Sequence, residues 1–286
     1  MKMEKEDIPI VNPEKPEVNS AIPAGIDFGI IGLGQCGGNL AEEFYLRGYR
    51  TIALNSSYTD LRAGKLPAVK RYHVGIQGRD GAGQDLELGE RYLRSNAKRI
   101  VETVEKELGD TDILMLMSGL AGGTGGNLGV LTDILGDLEK PMCVLTVLPD
   151  KVEGAIAKIN AVRALKKLAQ SPVDSIILLD NHRVMTQLTD SPVSSLYSRA
   201  NSITAAGIDW INRITRHPGL NPIRSFDSED FRKFFLTRGI MVIGETLIST
   251  EESSGKMQLS LNLKEILGGS GFYARDSRGK GPGYAE

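Results

Sequence analysis

The chain has 286 residues, 41% of them hydrophobic and only 6% aromatic, enough for a large aliphatic core in one or two domains without staples. Lys and Arg total 34 against 36 Asp and Glu, a net charge of −2, so no global field draws the chain to nucleic acid or an anionic membrane. Two distant cysteines, Cys36 and Cys143, and three isolated histidines offer neither a disulfide framework nor a zinc site, and fit a reducing cytoplasm.

Residues 1–24 are charged and proline-bearing where a signal peptide would be apolar, and read as a disordered tail. No apolar run approaches the roughly 18 to 20 residues of a membrane helix, so no membrane insertion is expected. From residue 26, "IDFGII", "TIALN", "DILMLMS", "MCVLTVL" and "DSIILLD" read as strands separated by segments of helical period. That alternation predicts an α/β fold with a parallel, Rossmann-like sheet, whose ligands bind beyond the carboxyl ends of the strands.

The helix expected after "DSIILLD" is the most regular. Leu196, Ala200, Ile203, Gly207, Trp210, Ile211 and Ile214 fall on one face, which predicts burial along its length. "RHPGLNP" then breaks the chain, "DSEDFRKFF" reads as a short helix, and "GIMVIGETLI" and "KMQLSLNL" read as strands of a new unit. The final "GGSGFYARDSRGKGPG" has a disordered composition.

Glycines cluster where the first and third of these strands end. In "GIIGLGQCGGNLAEEF", Gly32, Gly34 and Gly37 satisfy G-x-G-x-x-G between a strand and a helix, where bare backbone and a helix N-terminus suit phosphate. A dinucleotide fold also wants a carboxylate near the end of the next strand, yet "TIALNSS" supplies Asn55. In "LMSGLAGGTGGNLGV", Gly119, Gly122, Gly123, Gly125 and Gly126 surround Thr124, so that several amides and a hydroxyl can turn onto one polyphosphate. No Lys follows in Walker form. A third stretch, "GRDGAGQDLELGERYL", leads through Gly81, Ala82 and Gly83 into a helix with Asp85 and Glu87 in its first turn, as the dipole favours. An NAD-dependent oxidoreductase is the alternative built on the first loop alone; it leaves the second unexplained.

These residues resemble the tubulin/FtsZ superfamily of GTPases. "GQCGGN" is similar to the first nucleotide loop of tubulins and of archaeal tubulin-like proteins, and "AGGTGGN" to the signature G-G-G-T-G-[ST]-G. "GAGQDLELG", "NSSYTDL", "PDKVEGAIAK" and "DNHRV" resemble further segments in the family's order, so that the likeness covers about residues 26 to 240. It implies a nucleotide-binding GTPase domain over 25–193 and a long central helix over 194–216. It further implies a catalytic-loop region with a short or incomplete C-terminal β domain over 217–286. Gly34, Gly37, Gly122, Gly123, Thr124 and Gly125 would face the phosphates, with Gln35, Cys36 and Gly83 beside them, Glu153 on the ribose, and Asn39, Asn181 and Asn201 on guanine. An Asn carboxamide offers that base both a donor and an acceptor. The chain departs from the pattern in three segments. Gly125, Gly126 and Asn127 stand for G-[ST]-G, Ala157 and Lys158 stand where FtsZ has an Arg, and Ser202 stands where an Asp commonly follows the helix Asn.

In "GLNPIRSFDSEDFRKFF", Asp227 and Asp230 are similar to the paired acids of the family's catalytic loop; read on their own, they also suit the cap and first turn of a helix. Along a central helix rising about 1.5 Å per residue they lie too far from a base at Asn201 to serve their own nucleotide. The resemblance therefore implies a cytoplasmic GTPase that binds GTP or GDP with Mg²⁺, with no direct nucleic-acid partner. It would assemble head to tail with copies of itself, each completing its neighbour's site. A non-hydrolysing GTP-binding regulator is the remaining alternative.

Overall fold

The computed structural model describes residues 23–188, 192–216 and 226–241. The 1–22 tail, "KMQLSLNL" and the glycine-rich end lie outside them. Among the described residues, seven parallel strands form one sheet in the order β3-β2-β1-β4-β5-β6-β7. The strands are β1 (Phe28–Leu33), β2 (Arg50–Asn55), β3 (Arg71–His73), β4 (Ile113–Gly119), β5 (Met142–Leu148), β6 (Ser175–Asp180) and β7 (Gly239–Met241). Every pairing is parallel.

The connections supply α1 (Gly34–Tyr45), α2 (Tyr58–Ala63), α3 (Leu86–Ser95), α4 (Ala97–Leu108), α5 (Leu128–Leu135), α6 (Ala155–Ala169), α7 (Asn181–Gln187), α8 (Val193–Ile214) and α9 (Ser228–Leu236). The strands alternate because both faces are covered. Phe28, Ile30, Met115, Met117, Cys143 and Leu145 turn to one core with Leu40 and Phe44 of α1, Leu196 and Ile208 of α8, and Phe231 and Phe235 of α9. Ile31, Leu33, Leu114, Leu116 and Val144 turn to the other, under α4 and α5. The chain leaves β1 toward β2 on one side and resumes at β4 on the other, which opens a crevice at the carboxyl ends of β1 and β4.

Two expectations are corrected. Residues 239–241 do not start a new unit: Gly239, Ile240 and Met241 pair with Ser175, Ile176 and Ile177 and extend the same sheet. The face of α8 is also rotated from the one its apolar residues suggested. Ile203 and Trp210 are 43% and 44% exposed, while Thr204, Ala205, Ile208, Asp209 and Asn212 are buried. The cause is polar. Asn212 bridges the Ile26 backbone, accepting from its N–H at 2.7 Å and donating to its carbonyl at 2.9 Å. Asp209 accepts from the Tyr49 hydroxyl and from Arg213 Nε, both at 2.8 Å. Held in this way through Asn212 and Asp209 Oδ1, with Asp209 Oδ2 left buried and unpaired, polar groups take buried positions that hydropathy assigns to Ile and Trp.

Candidate nucleotide-binding site

At the ends of β1, β4, β5 and β6 lies a cleft of about 280 Å³, and among its lining residues are Gly34, Gln35, Cys36, Gly122, Gly125, Glu153 and Asn181. The first glycine loop makes this possible through close packing. Gly34 turns the chain from β1 into α1 with φ +72°, a left-handed conformation that glycine tolerates. A Cβ on Gly37 would lie 2.1 Å from the Met117 carbonyl, so its bareness seats α1 against β4 and does not face the cleft. Gly122 is different: nothing lies within 4 Å of where its Cβ would be. A backbone this open on the cleft side is what an approaching ligand needs.

The other predicted residues are dispersed around this centre. Thr124 is buried behind the cleft, its hydroxyl 2.6 Å from that of Ser56 at the end of β2. Gly123 donates its N–H to the Gly83 carbonyl at 2.7 Å, joining the third glycine stretch to the second. Asp85 is the N-cap of α3 and accepts from Leu88 N at 2.9 Å, with Glu87 following in the first turn. Asn39 lines an adjoining recess together with Gln35, Asn55 and Asp60. Asp60 places a carboxylate 3.2 Å from the Asn55 amide, although the strand itself supplies none. Asn201 is half-buried on α8.

Glu153 accepts from Asp150 N at 2.8 Å, and Asp150 in turn accepts from Val152 N at 2.9 Å, so the loop after β5 holds its own carboxylate at the cleft wall. Cys36 is partly buried at the cleft wall, and burial, and after it the charge of Glu153, pushes its thiol up to about 12, which disfavours the thiolate a nucleophile needs. Sequence reasoning missed Tyr197. It is 47% exposed on α8; burial first, and then Glu153, Asp150 and Cys36, raise its phenol above the usual value, so it stands within electrostatic reach of the loop after β5 without being one of the cleft-lining residues. Its spacing from Asn201, one helical turn, was the available signal.

Among the described residues no Lys or Arg lines the cleft. Lys158, which follows the Ala157 that stands where FtsZ has an Arg, donates to the Lys151 carbonyl at 2.6 Å. An anion here would be met by loop amides and by the N-termini of α1 and α5. Among the described residues no three His, Cys, Asp or Glu side chains stand together as metal ligands. A magnesium ion therefore fits as one carried mainly by phosphate oxygens.

Asp227 and Asp230 stand near the amino ends of the strands, where a Cβ on Gly25, before β1, would lie 3.0 Å from Ser228 Cβ. Asp227 caps α9, accepting from Glu229 N and Asp230 N at 2.9 Å, and Asp230 closes the capping box. Lys233, 3.1 Å away, holds the Asp230 carboxyl below the usual range. Phe235 of α9 packs edge-on against Phe28 at the start of β1, centroids 4.9 Å apart, whereas Gly34 follows the end of that strand. Six residues of strand, roughly 20 Å, thus lie between the acids' end and the cleft.

A family model described as Tubulin/FtsZ family, GTPase domain, matches residues 28–189. The chain is 36% identical over 206 residues to a tubulin-like protein CetZ of Pyrococcus abyssi, covering 69% of this chain and 56% of that protein. Among solved structures it is similar to CetZ2 of Haloferax volcanii, described as a GTPγS-bound protofilament: 26% identity, TM-score 0.60, covering 68% of this chain and 60% of that one. A GTPγS-form protofilament of Bacillus thuringiensis serovar israelensis TubZ shares the fold at TM-score 0.75 and 20% identity, covering 90% and 73%. The chain thus spans little more than half the length of the Pyrococcus relative. Among the described residues no helix is long and apolar enough to cross a membrane.

Proposed function

The chain belongs to the Tubulin/FtsZ family, and from that premise we propose that it binds and hydrolyses GTP and assembles head to tail into filaments, Asp227 and Asp230 serving the neighbour's nucleotide. The observation that carries this reading is the separation of cleft and acids to opposite ends of the parallel strands. A head-to-tail contact that joins those ends without closing makes a filament. It also gives each nucleotide a wall from two subunits.

Within the cleft, amides around Gly34, Gly122 and Gly125 receive the phosphates, Glu153 the ribose, and Asn181 with Asn39, Asn201 and Tyr197 the base. A bound magnesium ion would neutralise phosphate charge. The incoming carboxylates of Asp227 and Asp230 orient and polarise the attacking water. Their capping role does not compete, because a carboxylate keeps lone pairs beyond those it gives to two backbone N–H groups.

The test exploits that cap. Asn is as good an N-cap as Asp, so Asp227→Asn keeps α9 while removing the charge. GTP binding should be retained, GTP turnover should fall by at least tenfold, and wild-type specific activity should rise with protein concentration. Turnover that is independent of concentration and survives Asp227→Asn and Asp230→Asn ends the shared-site reading.

A further inference from the structure

We propose that Asn127 and Asn160 are positioning residues that clamp two loops together behind the cleft and thereby set the affinity for the nucleotide's phosphates; the second half of this rests on the guanine-nucleotide reading above. Both side chains are buried, at 6% and 4% exposure, and each comes from a different helical segment. Asn127, just before α5, donates through Nδ2 to the Gly123 carbonyl at 2.6 Å and the Leu86 carbonyl at 3.0 Å. Asn160 of α6 donates through Nδ2 to the Ala121 carbonyl at 3.1 Å and the Gln84 carbonyl at 2.7 Å. Each carboxamide therefore spends its two N–H groups on one carbonyl from each loop.

The position of the gripped carbonyls gives the clamp its function. Ala121 and Gly123 flank Gly122, the cleft-lining residue whose α-carbon faces open space. The amides around it are held from both sides, against a connection that has no regular structure from Gly75 to Asp85 and turns through positive φ at Gly81 and Gly83. Such backbone stays in one place only when something ties it. The Gly123 N–H to Gly83 carbonyl bond is the sole direct backbone tie between these loops that the structure gives among the described residues, and the two carboxamides add two side-chain bridges of two hydrogen bonds each. Asn127 also stands where the related signature carries Gly, so this half of the clamp is a property of the chain's own sequence.

The experiment uses the whole chain and the variants Asn160→Ala and Asn127→Gly, the latter restoring the residue the signature has. Hydrogen exchange is followed in peptides spanning residues 80–88 and 119–127, beside GTP affinity and steady-state kinetics. Each variant should exchange at least tenfold faster in both loops, with β4 and β5 protected as in the wild type. GTP affinity should fall roughly tenfold for two lost hydrogen bonds, raising KM while leaving kcat at saturation within about twofold, the signature of lost uniform binding. Loops that exchange as in the wild type overturn the clamp, as does a loss of protection spread evenly over the sheet. Faster loops with unchanged GTP affinity overturn its role toward phosphate. A wild type that does not bind GTP sinks the guanine reading, and the exchange data then still decide the clamp.

Discussion

Gly34 and Gly125 lie so close that a Cβ on the first would sit 3.1 Å from the amide nitrogen of the second. Gly34 begins α1 directly after β1, and Gly125 begins the short turn that leads the loop after β4 into α5, so the contact makes the two glycine loops a single wall. Two loops that merely allowed tight packing would have no reason to meet at an open cleft.

This wall separates two kinds of glycine, and a pair of substitutions tests the division. Gly37→Ala puts a methyl group 2.1 Å from the Met117 carbonyl, an overpacking expected to cost about 1–3 kcal/mol of stability. Gly122→Ala meets no protein atom within 4 Å and its φ is not positive, so stability should change by less than about 0.5 kcal/mol. Nucleotide affinity should nevertheless fall at least tenfold, because the methyl group stands where the ligand does. Urea denaturation beside a GTP titration reads both; a Gly122→Ala protein that binds like the wild type would remove Gly122 from the site.

Much of this site is legible in the sequence because glycines around it are there for contact distance: a Cβ would lie 2.1 Å from backbone at Gly37 and 2.5 Å at Gly125. The strands with full alternation, such as Ile113 to Met117, are legible for the same kind of reason: both of their faces are buried. What escapes is short or polar. β3 is three half-buried residues, Arg71 to His73, and has no periodicity to read. Asn160 and Asn127 look like any capping or surface Asn until the carbonyls they hold are known. The face of α8 is misread because Asp209 and Asn212 are buried where polarity argues for solvent.

That buried network on α8 yields a second prediction. The Tyr49 hydroxyl donates to Asp209 Oδ1 at 2.8 Å and accepts from Asn212 Nδ2 at 3.0 Å, tying the start of β2 to the central helix. Tyr49→Phe keeps the ring against Phe44 and removes both bonds. A buried carboxylate losing one donor should cost about 1–3 kcal/mol. The same helix carries Tyr197 and Asn201 at its cleft end, yet the lost bonds lie near the other end, so GTP affinity should hold within about threefold. Chemical denaturation measures the first quantity and a binding titration the second; an unchanged midpoint would show that the network contributes nothing net.

A third prediction follows from Cys36. Its thiol is raised from 9.0 to about 12 by burial and then by Glu153, so the folded chain keeps a proton that the unfolded chain gives up above pH 9. The sign is fixed by linkage. A group whose folded pKa is raised contributes its full stability below the unfolded pKa and loses it as pH climbs toward the folded one. Between pH 9 and about 12 the wild type should therefore lose up to about 1.4 kcal/mol per pH unit through Cys36. Cys143 and Tyr49, also raised chiefly by burial, act in the same direction, so Cys36→Ala isolates the first contribution by difference. Urea midpoints at pH 8, 9 and 10 for the two proteins should diverge, the wild type falling more steeply. Parallel slopes would mean that the thiol is solvated, and that the cleft wall at Cys36 is wetter than the packing of α1 against β4 implies.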